Sequence, residues 1–172
     1  MKIILGDIAY PKSEILVIPA NSVGSMKNRI QKRILKDGWK FIEREAKKVA
    51  KSEKCEIGDF FITDPGRLKR RGTKKIYHLV IKKLPNDLVS IDSVRKGLSN
   101  ILKEISKKSK SVTIGALGTE PGELDKRSVA RIILEISDKF NGKIDIKIID
   151  DDKEFINNLE EIYEEYKKLW GI

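Results

Sequence analysis

Polar side chains follow two predicted strands at the points where those strands end. Asp7 follows a short apolar run at the N-terminus, and Asn21 follows the predicted strand Glu14–Pro19. Ligands of open α/β sheets bind in the crevice at the strand ends, so both groups are expected at one crevice. A carboxylate only accepts hydrogen bonds, whereas an amide both donates and accepts them. The alternative is that each side chain stabilises its own turn.

A second candidate is the loop Gly118–Gly122, which follows another predicted strand. Glycines allow a backbone to approach a phosphate closely, and the Thr119 hydroxyl can donate to one. Glu120 and Glu123 would repel a diphosphate unless they point away from it. A plain turn between a strand and a helix explains this loop almost as well.

Strand-type and helix-type apolar patterns alternate along the chain, which predicts a single three-layer α/β/α domain over residues 1–172 with a mixed, mostly parallel sheet. A helix is expected over Lys27–Lys51, broken or bent at Asp37-Gly38. The other predicted helices are Ser90–Lys107, Asp125–Phe140 and a last one capped by Asp151 or Asp152. The predicted strands are Lys2–Gly6, Glu14–Pro19, Asp59–Thr63, Lys75–Ile81, Ser111–Leu117 and Lys143–Ile149.

Composition excludes several classes of site. The single cysteine, Cys55, allows neither an intrachain disulfide nor a cysteine metal cluster. The single histidine, His78, argues against a His-based zinc site or a Ser-His-Asp triad, and no cofactor is expected. No apolar run is long enough to span a membrane, so a cytoplasmic protein is expected. Abundant Lys, Glu and Ile with few labile residues is typical of a thermophile.

The order of these features resembles the macro domain, a family that binds ADP-ribose. The resemblance covers most of the chain. It rests on Gly6-Asp7-Ile8, the strand ending in Asn21, Gly58-Asp59 before a strand ending in Thr63, the strand Ile76–Val80, and Ser111–Ile114 leading to a glycine loop. One branch is closer, the macro domains similar to terminal ADP-ribose protein glycohydrolase. Its features here are the turn Asn21 to Met26, the pair Lys82-Lys83 and the dipeptide Leu124-Asp125.

The resemblance implies a set of ligand-binding residues. The Asp7 carboxylate would accept a hydrogen bond from the exocyclic amine of adenine, and Asn21 would face the distal ribose. The full set of ligand-binding candidates is Asp7, Ile8, Asn21, Gly24, Lys27, Arg29, Gly118, Thr119 and Gly122.

The same resemblance implies a catalytic pair. In the glycohydrolase branch, the first lysine attacks the sugar carbon that carries the ester to protein and forms a covalent intermediate, and the aspartate assists. The matching residues are Lys82 and Asp125. The amine must lose its proton before it attacks, and the neighbouring cation Lys83 is expected to lower the pKa of Lys82. The alternative is a solvated lysine pair and an aspartate that caps a helix.

One segment departs from the family pattern. Macro domains have a glycine-rich run where this chain has Lys27-Asn28-Arg29. Two outcomes are physically possible. The two basic side chains contact the phosphates by charge, in place of backbone amides. Alternatively, they fill the groove and the ADP-ribose pose is lost.

Positive charge is concentrated in one part of the chain. Residues 27–54 carry eleven Lys or Arg and four Asp or Glu, and a second basic run spans residues 67–75. Such a surface favours weak, salt-dependent contact with nucleic acid phosphates. Aromatic residues are only 6% of the chain, and few lie among these bases, so sequence gives little support for a base-stacking platform.

The function expected from sequence is binding of ADP-ribose or a related nucleotide, extended to hydrolytic removal of ADP-ribose from protein or nucleic acid. The alternative is a non-catalytic macro-like module that has lost the ligand and binds nucleic acid or protein through its basic face. No membrane partner is expected, and sequence does not indicate the oligomeric state.

Overall fold

Six strands form one mixed sheet in the computed structural model, which describes residues 1–171. The strands are β1 (Lys2–Leu5), β2 (Ile15–Asn21), β3 (Phe60–Thr63), β4 (Lys75–Lys82), β5 (Ser111–Ile114) and β6 (Asp145–Asp150). Their order is β1-β6-β5-β2-β4-β3. β3 runs antiparallel to β4 at one edge, and the other neighbouring pairs are parallel. The predicted mixed, mostly parallel sheet is confirmed.

Helices cover both faces of this sheet. They are α1 (Arg29–Gly38), α2 (Phe41–Glu53), α3 (Ile91–Ile105), α4 (Lys126–Asp138) and α5 (Lys153–Trp170), with a 3₁₀ helix at Gly66–Arg71. α3, α4 and α5 pack side by side, whereas α1 contacts α2 and the 3₁₀ helix. Right-handed crossovers place these two groups on opposite faces, because the chain moves one way across the sheet from β4 to β6 and the other way from β2 to β4. None of the described helices is long and apolar enough to cross a membrane.

The helix predicted over Lys27–Lys51 is divided into α1 and α2 at the predicted break. Gly38 ends α1 and is buried, and a side chain there would come within 2.5 Å of Ile42. The next residue, Trp39, has φ +90°, which turns the chain into α2. The backbone of this turn packs against Gly66, whose absent Cβ would lie 2.2 Å from the Gly38 carbonyl oxygen.

At their carboxyl ends, two strands differ from the prediction by more than one residue. β5 ends at Ile114 rather than Leu117, because the Ala116 amide donates to the Asp150 carboxylate instead of to a neighbouring strand. β2 continues past Pro19 to Asn21. It can do so because β5 pairs with it only as far as Val17, so Pro19 lies beyond the end of that neighbour.

His78 lies in β4, fully buried. Its Nε2 is 2.8 Å from Thr63 Oγ1, its ring stacks on Phe61, and its Nδ1 has no partner among the described residues. Burial lowers the pKa of His78 to about 3, so the imidazole is neutral at physiological pH. This arrangement is that of a packed strand residue.

The buried imidazole makes stability depend on pH. Below about pH 6.5 the unfolded chain binds a proton on His78, whereas the folded chain does not until about pH 3, so stability is lost as pH falls through this window. As pH decreases through this window, the free energy of unfolding should fall in both wild type and His78→Leu. The slope should be steeper in wild type by about 1.4 kcal/mol per pH unit. Denaturant titrations at several pH values measure the difference. Equal slopes, or an NMR titration of this single histidine near pH 6.5, would contradict the prediction.

Candidate functional site

The predicted crevice lies at the carboxyl ends of the parallel strands. After β2 the chain crosses to β4, and after β5 it crosses to β6 in the opposite direction, so the sheet has its switch point between β2 and β5. A cavity of about 470 Å³ lies there, lined by residues of segments 19–31, 81–89 and 120–123. A second cavity of about 680 Å³, lined by residues 119–126 and 151–154 with Arg29, lies beside it. We call these the inner and outer cavities, and the loop 119–123 separates them.

The predicted site residues are divided between these two spaces. Asn21, Lys27 and Lys82 line the inner cavity, and Gly122 lines both. Those that line the outer cavity alone are Arg29, Thr119 and Asp125. Four candidates line neither cavity: Asp7, Ile8, Gly24 and Gly118. All lie at the same end of the sheet, because β1, β2, β4, β5 and β6 are parallel.

Asn21 is buried and its amide is used within its own turn. Its Oδ1 accepts from the amides of Val23 and Ser25 at 3.2 and 3.3 Å. Its Nδ2 donates to the carbonyl oxygen and the hydroxyl of Ser25 at 3.0 and 3.1 Å. The turn is fixed further by Gly24, which has φ +72° and lies so close to α2 that a Cβ would be 2.5 Å from the Ala46 carbonyl oxygen.

Asp7 is held by an arginine from α1. Its Oδ2 accepts from Arg33 Nη2 and Nε at 2.5 and 3.2 Å, and its Oδ1 accepts from the Ala9 amide at 3.0 Å. Arg33 also donates to Asp37, which receives a further bond from Arg71. These hydrogen bonds from Arg33 and then Arg71 lower the pKa of Asp37 to about 2. The carboxylate expected to contact adenine is therefore already part of an ion-pair network.

Arg29, at the start of α1, crosses to the opposite side of the crevice. Its guanidinium pairs with Asp150 at 2.9 Å, with Asp151, and with Glu120 at 3.6 Å. Burial alone would lower the pKa of Arg29, but the negative charges of Asp150, Asp151 and Glu120 outweigh it and raise the pKa. Arg29 thus joins α1, the loop 119–123 and the end of β6 at the position where the family pattern has glycine.

Lys82 forms an ion pair with an acid of the second loop. Its Nζ is 2.8 Å from Glu123 Oε2, and both side chains are largely buried, at 14% and 12% exposure. The other oxygen of Glu123 accepts from the Glu120 amide at 3.0 Å. Lys83, next along the chain, is exposed. The charged group in contact with Lys82 is therefore the Glu123 carboxylate and not the neighbouring ammonium of Lys83.

Asp125 is the N-cap of α4. Its Oδ2 accepts from the amide and the hydroxyl of Ser128, both at 2.8 Å, and these bonds lower the pKa of Asp125. Its side chain faces the outer cavity, whereas Lys82 faces the inner one. The two predicted catalytic residues are on opposite sides of the loop 119–123 in this arrangement.

Sequence reasoning missed the third wall of the inner cavity. It is formed by residues 85–89, and Leu88 there is 89% exposed. A Cβ on Gly118 would lie 2.8 Å from Val89, so this segment packs against the second loop. An apolar residue in a polar stretch such as Leu88 is the only signal the sequence offers for it. Among the described residues, no group of three or more His, Cys, Asp or Glu is arranged to hold a metal ion.

Comparison with known proteins gives one consistent result. The family model for the macro domain matches residues 17–133. An uncharacterised protein of Aquifex aeolicus (strain VF5) is 31% identical over 173 aligned residues, covering 100% of this chain and 98% of its own. The macrodomain of Mycobacterium tuberculosis DarG has a TM-score of 0.75 at 24% identity, over 86% of this chain and 95% of that one. A mutant Oceanobacillus iheyensis macrodomain with ADPR has a TM-score of 0.82 at 18% identity, over 96% of this chain and 92% of that one.

Two of the candidate glycines test which part of the crevice is closely packed. Gly24 and Gly122 both have positive φ, but a Cβ at Gly122 would meet nothing within 4 Å. Gly122→Ala should therefore cost about 1–2 kcal/mol from backbone strain alone. Gly24→Ala adds a clash with the backbone of α2 and should cost clearly more. Thermal and denaturant unfolding measure both. Equal losses would show that the turn after Asn21 can relax away from α2.

Proposed function

This chain is a member of the macro domain family, and from that premise we propose that its crevice binds ADP-ribose or a chemically related nucleotide. The observation that carries the proposal is the inner cavity, which lies at the switch point of the family fold and has Lys27 and Lys82 among its lining residues. A related fold, the mutant Oceanobacillus iheyensis macrodomain, has been solved with ADPR.

The cationic groups around the crevice are suited to a diphosphate. Lys27 is exposed at the inner cavity and forms no ion pair among residues 1–171. Arg29 follows it by two residues, at the first turn of α1, where the helix dipole also favours an anion. We propose that a diphosphate lies where the two cavities meet, at Glu120, which lines both, and replaces Glu120 and Asp151 as partners of Arg29. Asp151 is 65% exposed and Glu120 24% exposed, whereas buried Asp150 remains paired.

The acids around Arg29 explain why affinity should be modest. Binding must separate a guanidinium from carboxylates that already neutralise it, and Glu120 then lies near the phosphates. Burial is the main cause of the raised pKa of Glu120, opposed by Arg29. A carboxylate with a raised pKa takes up a proton more easily, which would relieve its repulsion of the phosphates. Binding of ADP-ribose should accordingly strengthen at mildly acidic pH.

Substitution of Arg29 tests whether its side chain contacts the phosphates or fills the groove, the two outcomes that the sequence leaves open. Arg29→Ala removes a phosphate contact and exposes the charges of Asp150 and Glu120, so ADP-ribose should bind about tenfold or more weakly. The control is Arg127→Ala, which removes an arginine from the first turn of α4 together with its two carboxylate contacts. Calorimetric titration at two salt concentrations measures the affinities. Tighter binding by Arg29→Ala would mean that Arg29 fills the groove, and no binding by wild type would refute the proposed function.

In the hydrolytic form of the proposal, the Lys82 amine attacks the ribose carbon and displaces the protein carboxylate, and water then hydrolyses the lysyl intermediate and frees ADP-ribose. Lys82 lines the inner cavity, but its amine has to leave Glu123 and lose a proton before it can attack. Asp125 would have to reach the same space from the far side of the loop 119–123 to act as acid or base. Binding therefore does not depend on catalysis in this proposal.

Variants of the Lys82–Glu123 pair test this assignment. Release of ADP-ribose from a modified protein should fall by several orders of magnitude in Lys82→Ala, because a covalent route is lost. Glu123→Gln keeps the size of the side chain but removes the ion pair that the Lys82 amine has to leave before it attacks, so release should become faster. ADP-ribose affinity should stay measurable in wild type and in both variants. Full activity in Lys82→Ala would place the chemistry elsewhere, and an inactive wild type that binds ADP-ribose would leave a binding module.

A further inference from the structure

Exposed aromatic side chains are concentrated at one corner of the molecule. Of the four aromatic residues that are exposed among residues 1–171, Tyr10, Trp39 and Phe41 lie around the turn between α1 and α2 and the adjoining 3₁₀ helix, at 49%, 56% and 50% exposure. The fourth, Trp170, lies in α5. Folding gains little from aromatic rings that remain in water, so their presence together points to a contact.

Trp39 is also held in an unfavourable backbone conformation. Its φ of +90° with ψ of 154° lies in a region that side chains with a Cβ rarely adopt. Glycine is the usual residue at such a turn after a helix. A residue that is both strained and exposed does not serve stability, and strain of this kind concentrates at functional positions.

Arginines from a distant part of the sequence stack on two of these rings. The Arg67 guanidinium lies 4.4 Å from the centre of the Trp39 ring, and that of Arg71 lies 3.8 Å from the Tyr10 ring. Both arginines belong to the 3₁₀ helix, four residues apart, so their backbones are about 8 Å apart along its axis. The structure thus brings the second basic run beside the first.

The charge of this corner is largely uncompensated. Lys40, Arg44, Arg67 and Arg70 are exposed, and none of them forms an ion pair among residues 1–171. We define the basic corner as these four residues together with Trp39 and Phe41. None of its members lines either cavity of the crevice.

We propose that the basic corner binds single-stranded nucleic acid, with bases stacked on Phe41 and on the face of Trp39 that is not covered by Arg67, and with phosphates contacted by its four cationic side chains. Flat aromatic faces beside cations that lack ion-pair partners are the features that single strands use, because every unpaired base offers a face for stacking. A duplex would keep its bases paired and could use only the cations. An acidic protein segment would likewise leave the rings without a matching partner.

The central test compares oligonucleotides on variants of Trp39. Trp39→Gly should weaken binding of a labelled 15-nucleotide single strand by about tenfold or more, with little effect on a duplex of the same length. The same variant should unfold at an equal or higher temperature, because glycine relieves the strained turn. Fluorescence anisotropy and thermal unfolding measure the two effects. A folded Trp39→Gly that keeps wild-type affinity for the single strand overturns the proposal.

Trp170→Phe is the matched control and supplies an independent readout. The chain has two tryptophans, so this variant leaves Trp39 as the only one. It should bind the single strand with wild-type affinity, and stacking should change its fluorescence in a saturable way. Binding without any such change would show that Trp39 does not contact the strand and would refute stacking.

Charge variants separate this contact from general attraction to polyanions. Arg70→Ala should reduce the slope of log affinity against log salt by about 0.7, the value for one phosphate contact on a single strand. Lys103→Ala, which removes an exposed lysine from α3 on the other face of the sheet, should leave that slope unchanged. If the single strand, the duplex and heparin bind with equal affinity, and Trp39→Gly does not change these affinities, binding is non-specific and the proposal is overturned. ADP-ribose affinity should be unchanged in Trp39→Gly, so this proposal and the proposed function fail separately.

Discussion

One buried carboxylate connects the elements that surround the crevice. Asp150, at the end of β6, is only 1% exposed. Its oxygens accept from the amide of Ala116 after β5, from the amide of Asp152 at the start of α5, and from Arg29 at the start of α1. A buried charge without partners is strongly unfavourable, so these contacts are required together. The way the chain leaves β5, turns into α5 and enters α1 therefore depends on this one group, and Arg29 is part of the scaffold as well as a candidate ligand contact.

Sequence predicted the fold better than the site because the two depend on different distances along the chain. Strands, helices and the break at Gly38 follow from apolar periodicity and local backbone preferences, which a single sequence displays directly. The site depends on pairings such as Lys82 with Glu123 and Arg29 with Asp150, which join residues 41 and 121 positions apart. No local pattern specifies those partners. The family resemblance pointed to the carboxyl ends of the strands, where the structure has two cavities, but it could not show that Asp7 and Asn21 already have hydrogen-bond partners inside the protein.

Folding brings together charged and aromatic residues that are far apart in the sequence. In the sequence, the two basic segments are separate, and aromatic residues among them are few. The packing of the 3₁₀ helix against α1 places Arg67 on Trp39 and Arg71 on Tyr10, so that a scarce residue type becomes locally abundant. Acidic side chains are concentrated instead in α5, where several of them form ion pairs with Lys126 and Arg127 of α4. The side with the 3₁₀ helix should therefore attract a polyanion, and the side with α5 should repel it.

The close contact between Gly24 and Ala46 has a mechanical consequence for the crevice. The turn that follows β2 is attached to α2 through backbone atoms, and the Met26 amide adds a 2.6 Å hydrogen bond to Glu43 of the same helix. This wall cannot shift toward a ligand without carrying α2 and the corner at its start. Any closing movement must then come from the opposite side, where two ion pairs, Lys82 with Glu123 and Arg29 with Glu120, hold the loop 119–123. The crevice thus has one rigid wall, the turn after β2, and one wall that can move, the loop 119–123. Selectivity for ligand shape would then depend mainly on the rigid wall.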